Sequence, residues 1–188
     1  MKLKELKNKI KFEQILERYN YDWKDISCHQ YLSKDFIEFY KDDLIWSNIS
    51  LFQKLNEFFI EKYKKYIDWK FITLNKNFNQ SLIEKYKNFI DWKWLLRYKK
   101  FDTSFLEKYE NYIDFNLITI SQNLNEQFIE KYKDRLNWTL ISKYQSLSEQ
   151  FIEKYKDDLN WEYIYSFQKI SESFKKKYWD QYLEKFYL

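Results

Sequence analysis

The sequence predicts an all-α protein: an α-solenoid, right- or left-handed, of seven 23-residue helix-turn-helix repeats with terminal capping helices. Three observations carry this. Tryptophan stands at 23, 46, 69, 92, 138 and 161, and the skipped place in the series is Phe115. Six residues before the anchor stands Tyr40, Tyr63, Tyr86, Tyr109, Tyr132 or Tyr155. Three residues after it stands Ile26, Ile49, Ile72, Leu95, Ile118, Ile141 or Ile164. Self-similarity at a period of a few tens of residues marks stacked repeats, each of which buries its apolar face only against its neighbours.

The N-terminal stretch MKLKELKNKIKF places Leu3, Leu6, Ile10 and Ile15 near helical spacing, with Lys2, Lys4, Lys7, Lys9 and Lys11 between them. It predicts a capping helix over 1–12, with a basic arm for an acidic partner as the second reading. It lacks the uninterrupted apolar stretch of a secretory leader. The seven copies then fill 13–171. Each reads as two helices of roughly eight to ten residues, too short to persist alone because nucleation is costly.

In the first of these, helix A, Phe151, Ile152 and Tyr155 fall on one face. Ser33, Asn56, Asn79, Asp102, Asn125, Ser148 and Ser171 precede successive A helices as N-caps. Glu149 occupies a first turn, where the helix dipole favours an anion. The second, helix B, begins at the anchor behind Asp22, Asp68, Asp91, Asp114, Asn137 or Asn160, and only Ile45 breaks that series of caps. Trp161, Ile164 and then Phe167 or Gln168 share its inner face. The first copy is two residues short between Tyr19 and Trp23. The pattern fades after Tyr178, where the anchor position is Glu184, so 172–188 reads as the C-terminal cap. Helices stacked at about 8–10 Å would give an elongated, curved array. The leucine-rich-repeat frame is absent, which removes the other architecture of similar period.

Composition excludes several chemistries. Lys and Arg number 33 against 29 Asp and Glu, so the net charge of +4 argues only weakly for nucleic acid or membrane. Aromatic residues make up 23%, which implies a core of large flat rings with polar tips. Gly, Pro, Ala and Val are absent, while AT-rich codon families dominate, which points to an AT-rich genome. Without glycine there is neither a P-loop nor a dinucleotide fingerprint. One cysteine allows no internal disulfide. No apolar run approaches a membrane span. The expectation is a cytoplasmic protein without enzymatic activity, cofactor or metal.

The unit FIEKYKDxxxWxxIS, over about Glu13 to Ser171, resembles tandem repeats of phages, giant viruses and low-GC bacteria. The resemblance implies a viral or mobile-element origin. By analogy with accessory proteins of such genomes, it implies a scaffold that occludes a host defence factor, as an anti-CRISPR does.

Cys28 and His29 are adjacent. Neighbouring helical side chains point about 100° apart, so the pair makes no nucleophile–base couple. Zinc would need two further soft ligands. Asp68, Asp91 and Asp114 recur at a capping place, and Glu61, Glu84, Glu107, Glu130 and Glu153 recur inside helix A. A unique active site does not repeat in every unit, so these belong to folding. The Trp series could stack on bases, one per unit, but an aromatic opening an amphipathic helix is first a core residue. The fourth copy departs most from the pattern, in KWLLRYKKF. From Glu57 to Asp102 there are 11 basic and 6 acidic residues. Lys70, Lys93, Trp94, Arg97, Tyr98, Lys99 and Lys100 are therefore the expected partner-binding residues, since Trp and Arg are favoured at interface hot spots. The expected partner is a host or self protein. The alternative is RNA or single-stranded DNA along the basic middle copies. Neither a membrane nor a small-molecule substrate is expected.

Overall fold

The computed structural model describes residues 3–29 and 32–178, and all regular secondary structure among them is helical. The chain is an α-solenoid of paired helices. The A helices are α1 (Leu3–Arg18), α3 (Lys34–Phe39), α5 (Glu57–Lys62), α7 (Gln80–Tyr86), α9 (Thr103–Lys108), α11 (Glu126–Lys131) and α13 (Glu149–Lys154). The B helices are α2 (Trp23–Cys28), α4 (Trp46–Phe52), α6 (Trp69–Ile72), α8 (Trp92–Tyr98), α10 (Phe115–Ser121), α12 (Trp138–Tyr144) and α14 (Trp161–Phe167). Residues 172–178 are again helical. The rest of the expected C-terminal cap lies outside the described residues.

Two compact units divide the chain, Met1–Asp91 and Trp92–Leu188. In the first, α2 packs on α4 and α4 on α6. In the second, α8, α10, α12 and α14 pack in sequence, each on the next.

The helices are shorter than the periodicity suggests. Apart from α1, none exceeds seven residues, and α6 has four. Capping and stacking make such short pieces stable. The Ser33, Asn56, Asn79, Asp102, Asn125 and Ser148 side chains each accept a backbone N–H three residues on, and each such cap contributes about 1 kcal/mol. Asp22, Asp68, Asp114, Asn137 and Asn160 do the same for the B helices. Ile45 makes no side-chain cap.

The segment expected as a separate cap over 1–12 continues unbroken into the first copy as α1. Its inner face is Phe12 and Leu16, while Ile10 is 53% exposed. The two-residue deletion after Tyr19 is absorbed by Asn20 and Tyr21, both left-handed at φ 48° and 58°. Asparagine takes that conformation readily, whereas a tyrosine there is strained.

Four seams join successive copies, and each uses a recurrent position. The residue three after the anchor is completely buried in every copy, Ile26 through Ile164. The anchor ring packs on the tyrosine of the next helix A: Trp46 on Tyr63 at 5.3 Å, Trp92 on Tyr109 at 5.0 Å, Phe115 on Tyr132 at 5.3 Å, Trp138 on Tyr155 at 4.9 Å. A buried hydroxyl four residues after the anchor forms the third seam. Ser142 Oγ donates to Trp138 O at 2.7 Å and accepts from Asn160 N at 2.9 Å. Ser27 and Ser50 accept from Ile45 N and Asp68 N in the same way.

The fourth seam is an amide clamp, unread in the sequence. Gln145 Nε2 donates to Thr119 O at 2.6 Å and Gln122 O at 2.9 Å, and its Oε1 accepts from Leu124 N at 2.8 Å. Gln122 and Gln168 repeat this. Gln53 reaches back to Ser27 O and His29 O. Where α6 stops early, Asn75 replaces the glutamine from a position one residue sooner, donating to Ser50 O and Gln53 O. The inward residue is therefore the glutamine seven after the anchor, and Phe167, six after, is 55% exposed.

Candidate functional site

Once the seams are assigned, the recurrent motifs are accounted for. The anchor rings are covered on their faces, Trp92 also by Tyr112 at 5.1 Å and Phe115 by the Arg135 guanidinium at 4.0 Å, so they are not platforms for bases. Glu38, Glu61, Glu107, Glu130 and Glu153 of the A helices pair with the lysine 24 residues on, and Glu38, Glu130 and Glu153 also accept from the next tyrosine. Glu38 takes Lys62 at 2.7 Å together with the Tyr63 hydroxyl. Glu153 takes Lys177 at 2.5 Å and Tyr178 at 2.9 Å. Lysine and tyrosine donors hold the Glu38 carboxyl at about 2. Burial, then the Glu61 carboxylate, pushes the Tyr86 phenol up to about 12.

His29 closes α2 and packs its ring 5.3 Å from Tyr19. Burial raises the half-buried Cys28 thiol above its ordinary value, the reverse of what a nucleophile needs. Among the described residues no three His, Cys, Asp or Glu side chains converge as metal ligands, and no helix is long and apolar enough to cross a membrane.

What repetition does not explain lies on the outward face of the second unit's B helices. Residues two and six after the anchor are one turn apart and share a face. In α8 these are Trp94 and Tyr98, with rings 4.5 Å apart. In α10 they are Leu117 and Ser121, in α12 Leu140 and Tyr144, and in α14 Tyr163 and Phe167, with rings 5.9 Å apart. Tyr98, Tyr144 and Phe167 are each about half exposed, as is Ile120 beside them. Lys143 on α12 lies over Tyr163 and Phe167 on α14, at 5.2 and 5.6 Å, which joins two copies into one surface. At the other end Lys100 Nζ donates to Ser121 O and ties the segment after α8 to α10.

The cations of this face are Lys93, Arg97, Lys100, Lys143 and Lys169, against the single carboxylate of Glu162. None of the five makes an ion pair among the described residues, whereas elsewhere in the same unit Lys131, Lys154 and Lys177 pair with Glu107, Glu130 and Glu153. Burial pulls the Lys99 ammonium below its ordinary value. Lys99 and the completely buried Leu96 stand where other copies carry the clamp amide and the seam hydroxyl. That departure makes copy four singular.

Six of the seven expected binding residues, Lys93, Trp94, Arg97, Tyr98, Lys99 and Lys100, thus fall on α8 or directly after it. Lys70 is exposed on α6 in the first unit. Leu140, Lys143, Tyr144, Tyr163 and Phe167 were not foreseen; the signal for them is an apolar or aromatic residue two and six after the anchor. The first unit has a cleft of about 670 Å³ lined by Glu61, Lys62, Lys64, Lys65, Tyr66, Trp69 and Phe89. Two of its three lysines are already engaged, Lys62 with Glu38 and Lys64 with Glu61 and over the Phe89 ring at 4.1 Å. Comparison with protein-family models, with curated proteins and with solved structures finds no match to this chain.

Proposed function

We propose that this chain is a non-catalytic scaffold whose second unit holds an acidic protein partner on the outward face of α8, α10, α12 and α14. The observation behind this is the combination of half-exposed rings with five cations that have no carboxylate partner within the described fold. Rings of this kind supply contact area and guanidinium and ammonium groups supply specificity, the usual make-up of an interface hot spot. The repeat resemblance and the AT-rich composition make a host protein the first partner to seek, an occluded defence factor being the narrower form.

Affinity purification from the natural host tests the proposal. The expected result is an acidic protein retained by the native chain and lost when Arg97→Glu, Lys99→Glu and Lys100→Glu are combined. Recovery of no specific protein, or equal recovery with the triple variant, overturns it. One observation favours a second reading: half-exposed rings beside cations without a carboxylate partner are also how single-stranded nucleic acid is held. That reading requires retention of RNA or single-stranded DNA on a filter at low salt, falling steeply as salt rises.

A further inference from the structure

We infer that the partner lies across this face as an extended acidic segment, advancing three residues for each copy it crosses. This rests on the proposed binding role and specifies its occupant. The stations are Trp94 with Tyr98, Leu117 with Ile120, Leu140 with Tyr144, and Tyr163 with Phe167, one pair per B helix. Since α8, α10, α12 and α14 pack side by side, neighbouring stations are separated by the about 8–10 Å of packed helices. The amide clamps hold that step: Gln145 reaches Gln122 O at 2.9 Å and Gln168 reaches Gln145 O at 2.7 Å.

A polyproline-type chain rises about 3.1 Å per residue with three residues per turn, so every third side chain returns to one face after about 9.3 Å. A β-strand repeats its face after about 6.7 Å and drifts out of register within two stations. An α-helix regains its face every turn, about 5.4 Å, and two turns advance about 10.8 Å, beyond that spacing. The three-residue period therefore fits best. Apolar residues at that period would meet the rings, and carboxylates between them would meet Arg97, Lys100, Lys143 and Lys169. Lys143, already over two rings of the next copy, sits where one such carboxylate must pass.

Fluorescence anisotropy of the full chain with labelled peptides tests this. One peptide repeats Leu-Glu-Pro four times, a second scrambles the same residues, and a thymidine 12-mer serves as the nucleic-acid probe. The regular peptide should bind about tenfold or more tighter than the scramble, and Tyr144→Ser with Phe167→Ser should remove about that preference, as expected of hot-spot residues. Both side chains are half exposed, so the variant keeps its fold. Phe52→Ser, at the same repeat position in the first unit, should leave binding unchanged. Equal binding of the two peptides, still lost in the double variant, overturns the register and keeps the binding face. Failure of both acidic peptides to bind at low salt overturns the face as well. Tighter binding of the oligonucleotide than of either peptide overturns the acidic-segment proposal in favour of nucleic acid.

Discussion

In the first unit, the residues two and six after the anchor are Asp25, His29, Asn48, Phe52, Phe71 and Asn75. In the second they are Trp94, Tyr98, Leu117, Ser121, Leu140, Tyr144, Tyr163 and Phe167. The polar residues of the first set serve the fold. Asn75 replaces the clamp glutamine, Asn48 donates to Lys24 O at 3.3 Å, and the His29 carbonyl receives Gln53. The second set does little of this, and Tyr98, Tyr144 and Phe167 in it are about half exposed. Within each unit the copies are joined by the same recurrent seams, except that copy four carries Leu96 in place of the hydroxyl and Lys99 in place of the amide. The contrast teaches that in this chain scaffold and surface are written at different offsets from the same anchor. A unit can change its outward chemistry without altering how it stacks.

Four measurements can break or sharpen that contrast. The largest effect belongs to the shared scaffold: Ile141→Ala or Ile72→Ala, at completely buried positions, should each cost about 3–4 kcal/mol in urea unfolding. A cost confined to one unit would mean that the seams are not equivalent. Next, Gln145→Ala strands two carbonyls and an N–H that are otherwise satisfied, for an expected loss of about 2–3 kcal/mol by the same assay. Supplying the missing cap with Ile45→Asp should stabilise the first unit by about 1 kcal/mol, read as a rise in the denaturation midpoint. The smallest effect is on the surface: Phe52→Ser and Phe167→Ser should both leave stability within about 0.5 kcal/mol, and only the second should weaken partner binding.

Acid titration addresses the scaffold as a whole. The Glu38 carboxyl is lowered from about 4.5 to about 2 by Lys62 and Tyr63, and Glu61, Glu130 and Glu153 are lowered by similar donors. A depressed carboxylate favours the native state above its unfolded value and loses that contribution on protonation. Thermal midpoints should therefore hold above about pH 5 and fall between about 4.5 and 2. At the alkaline end Tyr86 works in the opposite sense. Its folded value of about 12 lies above the ordinary 10, so its contribution is present below pH 10 and fades as pH rises toward 12.

Much of the scaffold was legible because it repeats. The anchors, the buried residue three after them and the capping Ser, Asn and Asp are each written several times, and each has a local physical cause. Three things were not legible. Phe167 and Gln168 are one residue apart, and helical periodicity alone cannot choose which turns inward; the choice is made by backbone carbonyls of the preceding copy that need an amide donor. The unbroken α1 hides the join between cap and first copy, because Phe12 and Leu16 continue one face through it. The proposed binding face was read only at copy four, where Trp94 and Arg97 break the pattern. Its extension to Tyr144 and Phe167 depends on Lys143 crossing to the next helix, a contact 20 and 24 residues away in sequence.

The amide clamp has a genetic consequence. Each glutamine looks back one copy, each anchor ring looks forward one copy, and neither reaches further. A duplication or loss of a whole multiple of 23 residues among the copies that carry the glutamine therefore delivers each amide to its carbonyls and each ring to the next tyrosine. Unequal recombination could lengthen or shorten such an array while the outward offsets diversify copy by copy, so the number of proposed stations is itself heritable variation.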